Sequence, residues 1–128
     1  MILLLDTSTA ICNISLVDGS WRSDNQWQAD RQLAKGLLKF INDKLQENSK
    51  SWSDLSAIGV FVGPGSFTGL RIGLTVANTI ADAQNIPIVG GQNSDWQNEV
   101  LEKLNLGKNE KIILPLYGAQ AHITIPKK

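Results

Sequence analysis

At 128 residues, 42% of them hydrophobic, the chain has the length of one domain and enough apolar side chains for a compact core. Twelve Lys and Arg balance twelve Asp and Glu, so no strong net field draws nucleic acid or an anionic membrane to it. No apolar run approaches the roughly 18–20 residues needed to span a bilayer, the start lacks the basic and long apolar segments of a signal peptide, and the single cysteine cannot form an internal disulfide; the cytoplasm is the expected address.

Ile2 to Leu5 is expected as a buried strand, and Ala10 to Val17 as a second, with Ala10, Cys12, Ile14 and Leu16 on one face. The polar stretch Asp6-Thr7-Ser8-Thr9 joins them as a hairpin turn. Asp18-Gly19-Ser20 makes another turn, and Trp21 to Gln28 a third strand with Trp21 and Trp27 on the same side. These strands read as a meander. Cys12 sits among apolar neighbours with no base or cation beside it in the pattern, which points to packing rather than chemistry.

Asp30 is expected to cap a helix running to about Gln46, in which Leu33, Ala34, Leu37, Leu38, Phe40, Ile41 and Leu45 form an apolar arc. Ala57 to Val62 is almost wholly apolar, as in a strand buried on both faces. The stretch Gly63-Pro64-Gly65-Ser66-Phe67-Thr68-Gly69-Leu70-Arg71-Ile72-Gly73 then stops the strand and launches a helix, with Ser66 or Thr68 as its cap. A glycine-rich turn at a helix start can cradle phosphate. The Walker pattern fails here because Leu70 and Arg71 follow Gly69, and the dinucleotide spacing of glycines fails too. Tight packing of strand against helix is the plainer reading.

The helix to Gln84 carries an apolar arc of roughly 200°, about twice what resting on one sheet requires. Small Gly73, Ala77 and Ala81 would allow close approach, which suggests a second partner surface. The candidate partner-facing residues are Leu70, Gly73, Leu74, Val76, Ala77, Ile80 and Ala81, with Leu37 and Ile41 from the preceding helix. The alternative is a helix covered by its own chain.

Ile86 to Gly90 is a short strand starting at Pro87. Asn93 or Ser94 caps a helix in which Trp96, Val100, Leu101 and Leu104 share a face before Gly107 ends it. Ile112 to Tyr117 reads as a further strand, and Ala119 to Ile125 as a short edge strand. A meander followed by alternating strands and helices predicts an α/β fold, a mixed sheet covered by helices, with no internal boundary over residues 1–128. His122 is the only histidine, too few for an imidazole pair on zinc, and it falls near the terminus on the expected edge strand, so no catalytic residue and no metal ligand is assigned.

The glycine-rich block, together with Met1 to Thr9 and Asn85 to Gly90, resembles the TsaB (YeaZ) family, whose members assist in making threonylcarbamoyladenosine beside the anticodon of tRNA. The resemblance covers about residues 1–106. It implies a single actin-like (ribonuclease H-like) lobe, as in sugar kinases and heat-shock ATPases. In that fold the first hairpin faces nucleotide phosphates, which makes Asp6, Thr7 and Ser8 weak candidates for a phosphate or ion contact; a carboxylate closing a turn is the simpler reading of Asp6. Many family members have histidine where Leu33 stands, and Asp-Ala-Arg where Tyr117-Gly118-Ala119 stands.

Typical members have two lobes with nucleotide between them, and this chain stops where the second would begin, so independent ATP hydrolysis and a bound cofactor are not expected. The resemblance instead implies a non-catalytic subunit whose helices pack against equivalent helices of the transferase TsaD, with the ATPase TsaE joining and tRNA touched only within the complex. An alternative is an actin-like enzyme that uses Asp6 and the glycine-rich loop on a nucleotide; another is a homodimer through the same helices.

Overall fold

In the computed structural model, which describes residues 1–115, ten short elements follow one another. They are β1 (Ile2–Asp6), β2 (Ile11–Asp18), β3 (Trp21–Gln28), a 3-10 turn (Asp30–Gln32), α1 (Leu33–Glu47), a 3-10 turn (Trp52–Asp54), β4 (Ala57–Phe61), α2 (Phe67–Gln84), β5 (Ile88–Gly91) and α3 (Trp96–Asn105). One five-stranded sheet runs in the order β3-β2-β1-β4-β5. The first three strands are the expected antiparallel meander, while β1, β4 and β5 run parallel. Parallel neighbours need crossovers, and α1 and α2 supply them.

The pleat divides the core. Leu3, Leu5, Cys12, Ile14, Leu16, Ile58, Val60 and Ile88 form one cluster with Leu37, Ile41, Leu74 and Ala77 of α1 and α2. Leu4 and Val89 point to the opposite face, against Trp96 and Val100 of α3. The i, i+4 row Leu33, Leu37, Ile41 and Leu45 buries one stripe of α1. Trp27 meets Phe40 with ring centroids 5.3 Å apart, whereas Trp21, on the same side of β3, lies at the surface beneath the Lys50 ammonium.

Three local expectations are corrected. Ala10 precedes β2 and is exposed, because its carbonyl turns to accept from the backbone N–H groups of Ala29 and Asp30. Asp30 does not cap α1: it sits at φ 47° in the 3-10 turn and its carboxylate accepts from Gln28 Nε2 at 2.9 Å. Residues 112–115 do not form a strand. There the amide side chain of Asn78 takes the place of a ladder neighbour, donating to Ile113 O and accepting from Ile113 N, each at 2.9 Å. Tyr117, the expected edge strand from Ala119 to Ile125, and His122 lie outside the described residues.

The outer edge of β5 is closed by side chains as much as by backbone. Glu110 N donates to Ile88 O, Gly90 N donates to the Glu110 carboxylate at 2.7 Å, and Lys103 Nζ donates to Gly90 O at 2.7 Å. Partial burial disfavours the Glu110 carboxylate, but the Gly90 N–H and Lys103 outweigh it and hold the group below its usual range.

Candidate functional site

Asp6 ends β1 and closes its turn on itself, its Oδ1 accepting from Ser8 N at 2.9 Å and Ser8 Oγ at 2.7 Å. Thr7, only 3% exposed, points into the molecule and donates from Oγ1 to Gly69 O at 2.7 Å. Ser66 N donates to Ser8 O at 2.9 Å, so the first hairpin turn and the glycine-rich loop are tied together. The glycines follow from that contact. A Cβ at Gly65 would strike Ser8, one at Gly69 would strike the Thr7 carbonyl, and one at Gly73 would strike the Thr7 side chain. Gly63, at φ 124°, turns the chain out of β4 in a conformation L-residues rarely adopt. Ser66 caps α2 by accepting from Gly69 N at 3.3 Å.

The structure therefore brings Asp6, Thr7 and Ser8 together, and their hydrogen bonds are spent on the turn and on α2. Beside them lies a polar hollow of about 540 Å³ on the other face of the sheet, lined by Asn13, Arg22, Asp24 and Gln97 among others. Arg22 and Asp24 pair with each other there: the Ser15 hydroxyl and the Arg22 guanidinium hold the Asp24 carboxyl below its ordinary range, and Arg22 reaches Gln97 of α3 at 2.6 Å. Among the described residues no group of three metal-ligating side chains converges. Cys12 is fully buried, and desolvation, reinforced by the nearby Asp6 charge, pushes its thiol up to about 12. Such a thiol is a packing element at neutral pH.

The structure places nearly all the partner-facing candidates inside the chain. Leu70, Leu74, Ala77, Ile80, Ala81, Leu37 and Ile41 are no more than 5% exposed, and Gly73 is buried against Thr7. They pack α1 and α2 onto the sheet, so none of them offers a free surface. The wide apolar arc of α2 has two partners inside the chain, the sheet below and α1 beside it, which explains its breadth without an external one. Val76 alone among the listed residues reaches the rim.

What is open is the next strip outward. Between α1 and α2 lies a hollow of about 310 Å³ lined by Ala34, Thr68, Arg71, Ile72, Thr75 and Val76. Leu38, one turn after Ala34 on α1, and Phe67, next to Thr68 at the start of α2, are 53% and 49% exposed, and the Arg71 guanidinium lies 5.6 Å from the Phe67 ring centroid. Exposed large apolar side chains beside a hollow between two helices are features of protein docking surfaces. The signal for this strip was present in the helical wheel: Ala34 and Leu38 are four residues apart and flank the Leu33–Leu37 row, and Ile72 and Val76 do the same on α2.

The family model for TsaD, tRNA N6-adenosine threonylcarbamoyltransferase, matches residues 27–96, more than half of the chain and the whole of α1, β4 and α2. Among curated proteins, the chain is 36% identical over 88 residues to the tRNA threonylcarbamoyladenosine biosynthesis protein TsaB of Buchnera aphidicola subsp. Baizongia pistaciae. The chain belongs to the TsaB (YeaZ) family. The TsaB protein of Escherichia coli K12 is 32% identical over 89 residues. YeaZ from Pseudomonas aeruginosa superposes with a TM-score of 0.67 at 33% identity, over 72% of this chain and 43% of that one. The matched regions are 69% and 70% of this chain but only 40% and 38% of the two curated relatives, so the chain spans about two fifths of their length. The superposition agrees with the actin-like lobe expected from the sequence.

Proposed function

We propose that this TsaB-family chain is a non-catalytic subunit that docks on a TsaD-like transferase during synthesis of threonylcarbamoyladenosine beside the anticodon of tRNA. The observation that carries this reading is the strip between α1 and α2, where Ile72 and Val76 line a hollow and Leu38 and Phe67, close in sequence to its lining residues Ala34 and Thr68, are exposed. The names of the relatives supply the pathway. The match of the transferase model to residues 27–96 supplies the kind of partner, because a TsaD-like protein carries helices equivalent to α1 and α2. A docking surface of this kind buries a few anchors and needs no reacting group. A TsaE-like ATPase would join the assembled pair, and tRNA would be touched only within it. Among the described residues no helix is long and apolar enough to cross a membrane.

The test is a calorimetric titration of the whole chain with the TsaD-like transferase of the same organism, beside Leu38→Glu. Binding by the parent chain, weakened tenfold or more by Leu38→Glu at unchanged thermal stability, is the expected result. No binding by the folded parent chain would overturn the proposal.

A further inference from the structure

β5 is the last strand of the sheet, and its outer edge carries the groups with which a sixth strand would pair. Pro87 O and Gly91 O accept from Ile58 N and Val62 N on the β4 side, so the backbone groups of the alternate residues, Ile88 and Gly90, point outward. All four are occupied, one by backbone and three by side chains. Ile88 N donates to Asn109 Oδ1 at 3.1 Å, and Ile88 O accepts from Glu110 N at 2.9 Å. Gly90 N donates to Glu110 Oε1 and Gly90 O accepts from Lys103 Nζ, each at 2.7 Å. The strap that carries Asn109 and Glu110 does not go on as a strand. Ile112 N donates to Glu110 O at 2.7 Å around Lys111, whose φ of 69° makes a γ-turn of the rare, strained kind. A cover built from side chains and a strained turn is easier to exchange for a strand than a full ladder is.

The pattern that the strap imitates is that of β5 itself. In an antiparallel pair, each hydrogen-bonded couple of residues exchanges two N–H···O bonds. Two copies of β5 related by a two-fold axis through Val89 set Ile88 of each opposite Gly90 of the other. The two couples then satisfy on each copy the same four groups that the strap and Lys103 satisfy within one chain. The stretch Ile88-Val89-Gly90-Gly91 carries no charge to oppose such pairing. We infer that residues 109–113 are an autoinhibitory strap: closed, it denies the β5 edge to other strands, and released, it lets β5 pair antiparallel with β5 of a second copy. The inference is independent of the strip between α1 and α2, which lies on one face of the sheet rather than at this edge.

Amide exchange followed residue by residue, with sedimentation velocity at the same concentrations, tests it on the whole chain and on the double variant Asn109→Ala/Glu110→Ala. In dilute solution the Ile88 and Gly90 amides of the variant should exchange roughly tenfold faster than those of the parent, or more, while the amides of β1 and β4 keep their protection. As concentration rises, the variant should regain protection at these two amides and sediment as a larger species. Should the double change unfold the chain, Glu110→Ala replaces it, frees Gly90 N alone, and is read at that amide. Parent-like protection in the dilute variant would show that the strap does not guard the edge. Amides that stay unprotected at high concentration would overturn the pairing, and so would a larger species without regained protection, because another surface would then join the copies.

Discussion

The inner and outer faces of α2 are built from opposite choices. Inside, Gly69, Gly73, Ala77 and Ala81 let the helix sit against the Thr7 turn and the sheet with no room for larger groups. Outside, Arg71, Thr75 and Asp82 are solvated, and Ile72 and Val76 reach the rim of a hollow that α1 leaves uncovered. Small residues on this helix therefore serve the fold, and the docking surface proposed above is made by their larger neighbours one position along.

The largest effect should come from breaking the inner face. Ala77 is fully buried, so Ala77→Arg places an unpaired charge in the core and should cost about 3–5 kcal/mol, seen as loss of the cooperative thermal transition. A stable, folded variant would show that the inner face is not core. Gly73→Ala comes next: its methyl collides with Thr7, and urea unfolding should report a loss of about 1–3 kcal/mol. Pairing it with Thr7→Gly should recover part of that loss, because the second change empties the space the methyl needs, although it also removes the Thr7 hydrogen bond to Gly69 O.

On the outer face the sign of the comparison reverses. Leu38→Glu, at a position 53% exposed, should change stability by less than about 0.5 kcal/mol while weakening partner binding.

A smaller effect, at the β5 edge, depends on pH. Glu110 has its folded pKa below the ordinary 4.5, so its contribution to stability is fully present above that value and fades as pH falls through the lower folded value. The group is partly exposed, so a difference of under about 1 kcal/mol is expected between neutral pH and acid, and Glu110→Gln should flatten that part of the stability profile. An unchanged profile in the variant would mean that the carboxylate does not hold the edge.

Much of the sheet was legible because buried strands advertise themselves. The run from Ala57 to Val62 and the alternation of Cys12, Ile14 and Leu16 lead directly to β4 and β2. A hydroxyl cap at Ser66 or Thr68 was equally readable, since hydroxyls before a helix have one common use, and Ser66 supplies it. The burial of the candidate residues on α1 and α2 was not legible for a physical reason. A wheel gives the width of an apolar arc but not how many neighbours within the chain share it, and α2 has two. Likewise Asp30 looks like a cap by residue type, yet the 3-10 turn places α1 three residues later. The Asn78 amide standing in for a strand partner of Ile113 pairs residues 35 apart, and no local pattern announces that.

The account turns on two neighbouring positions of one helix, and a titration against the TsaD-like transferase of Thr75→Arg beside the parent chain tests it most directly. Thr75 is exposed on the strip, two residues from buried Ala77. Thr75→Arg should melt like the parent chain and bind the transferase at least tenfold more weakly. Parent-like binding by a folded Thr75→Arg chain would contradict the assignment of this face to the partner.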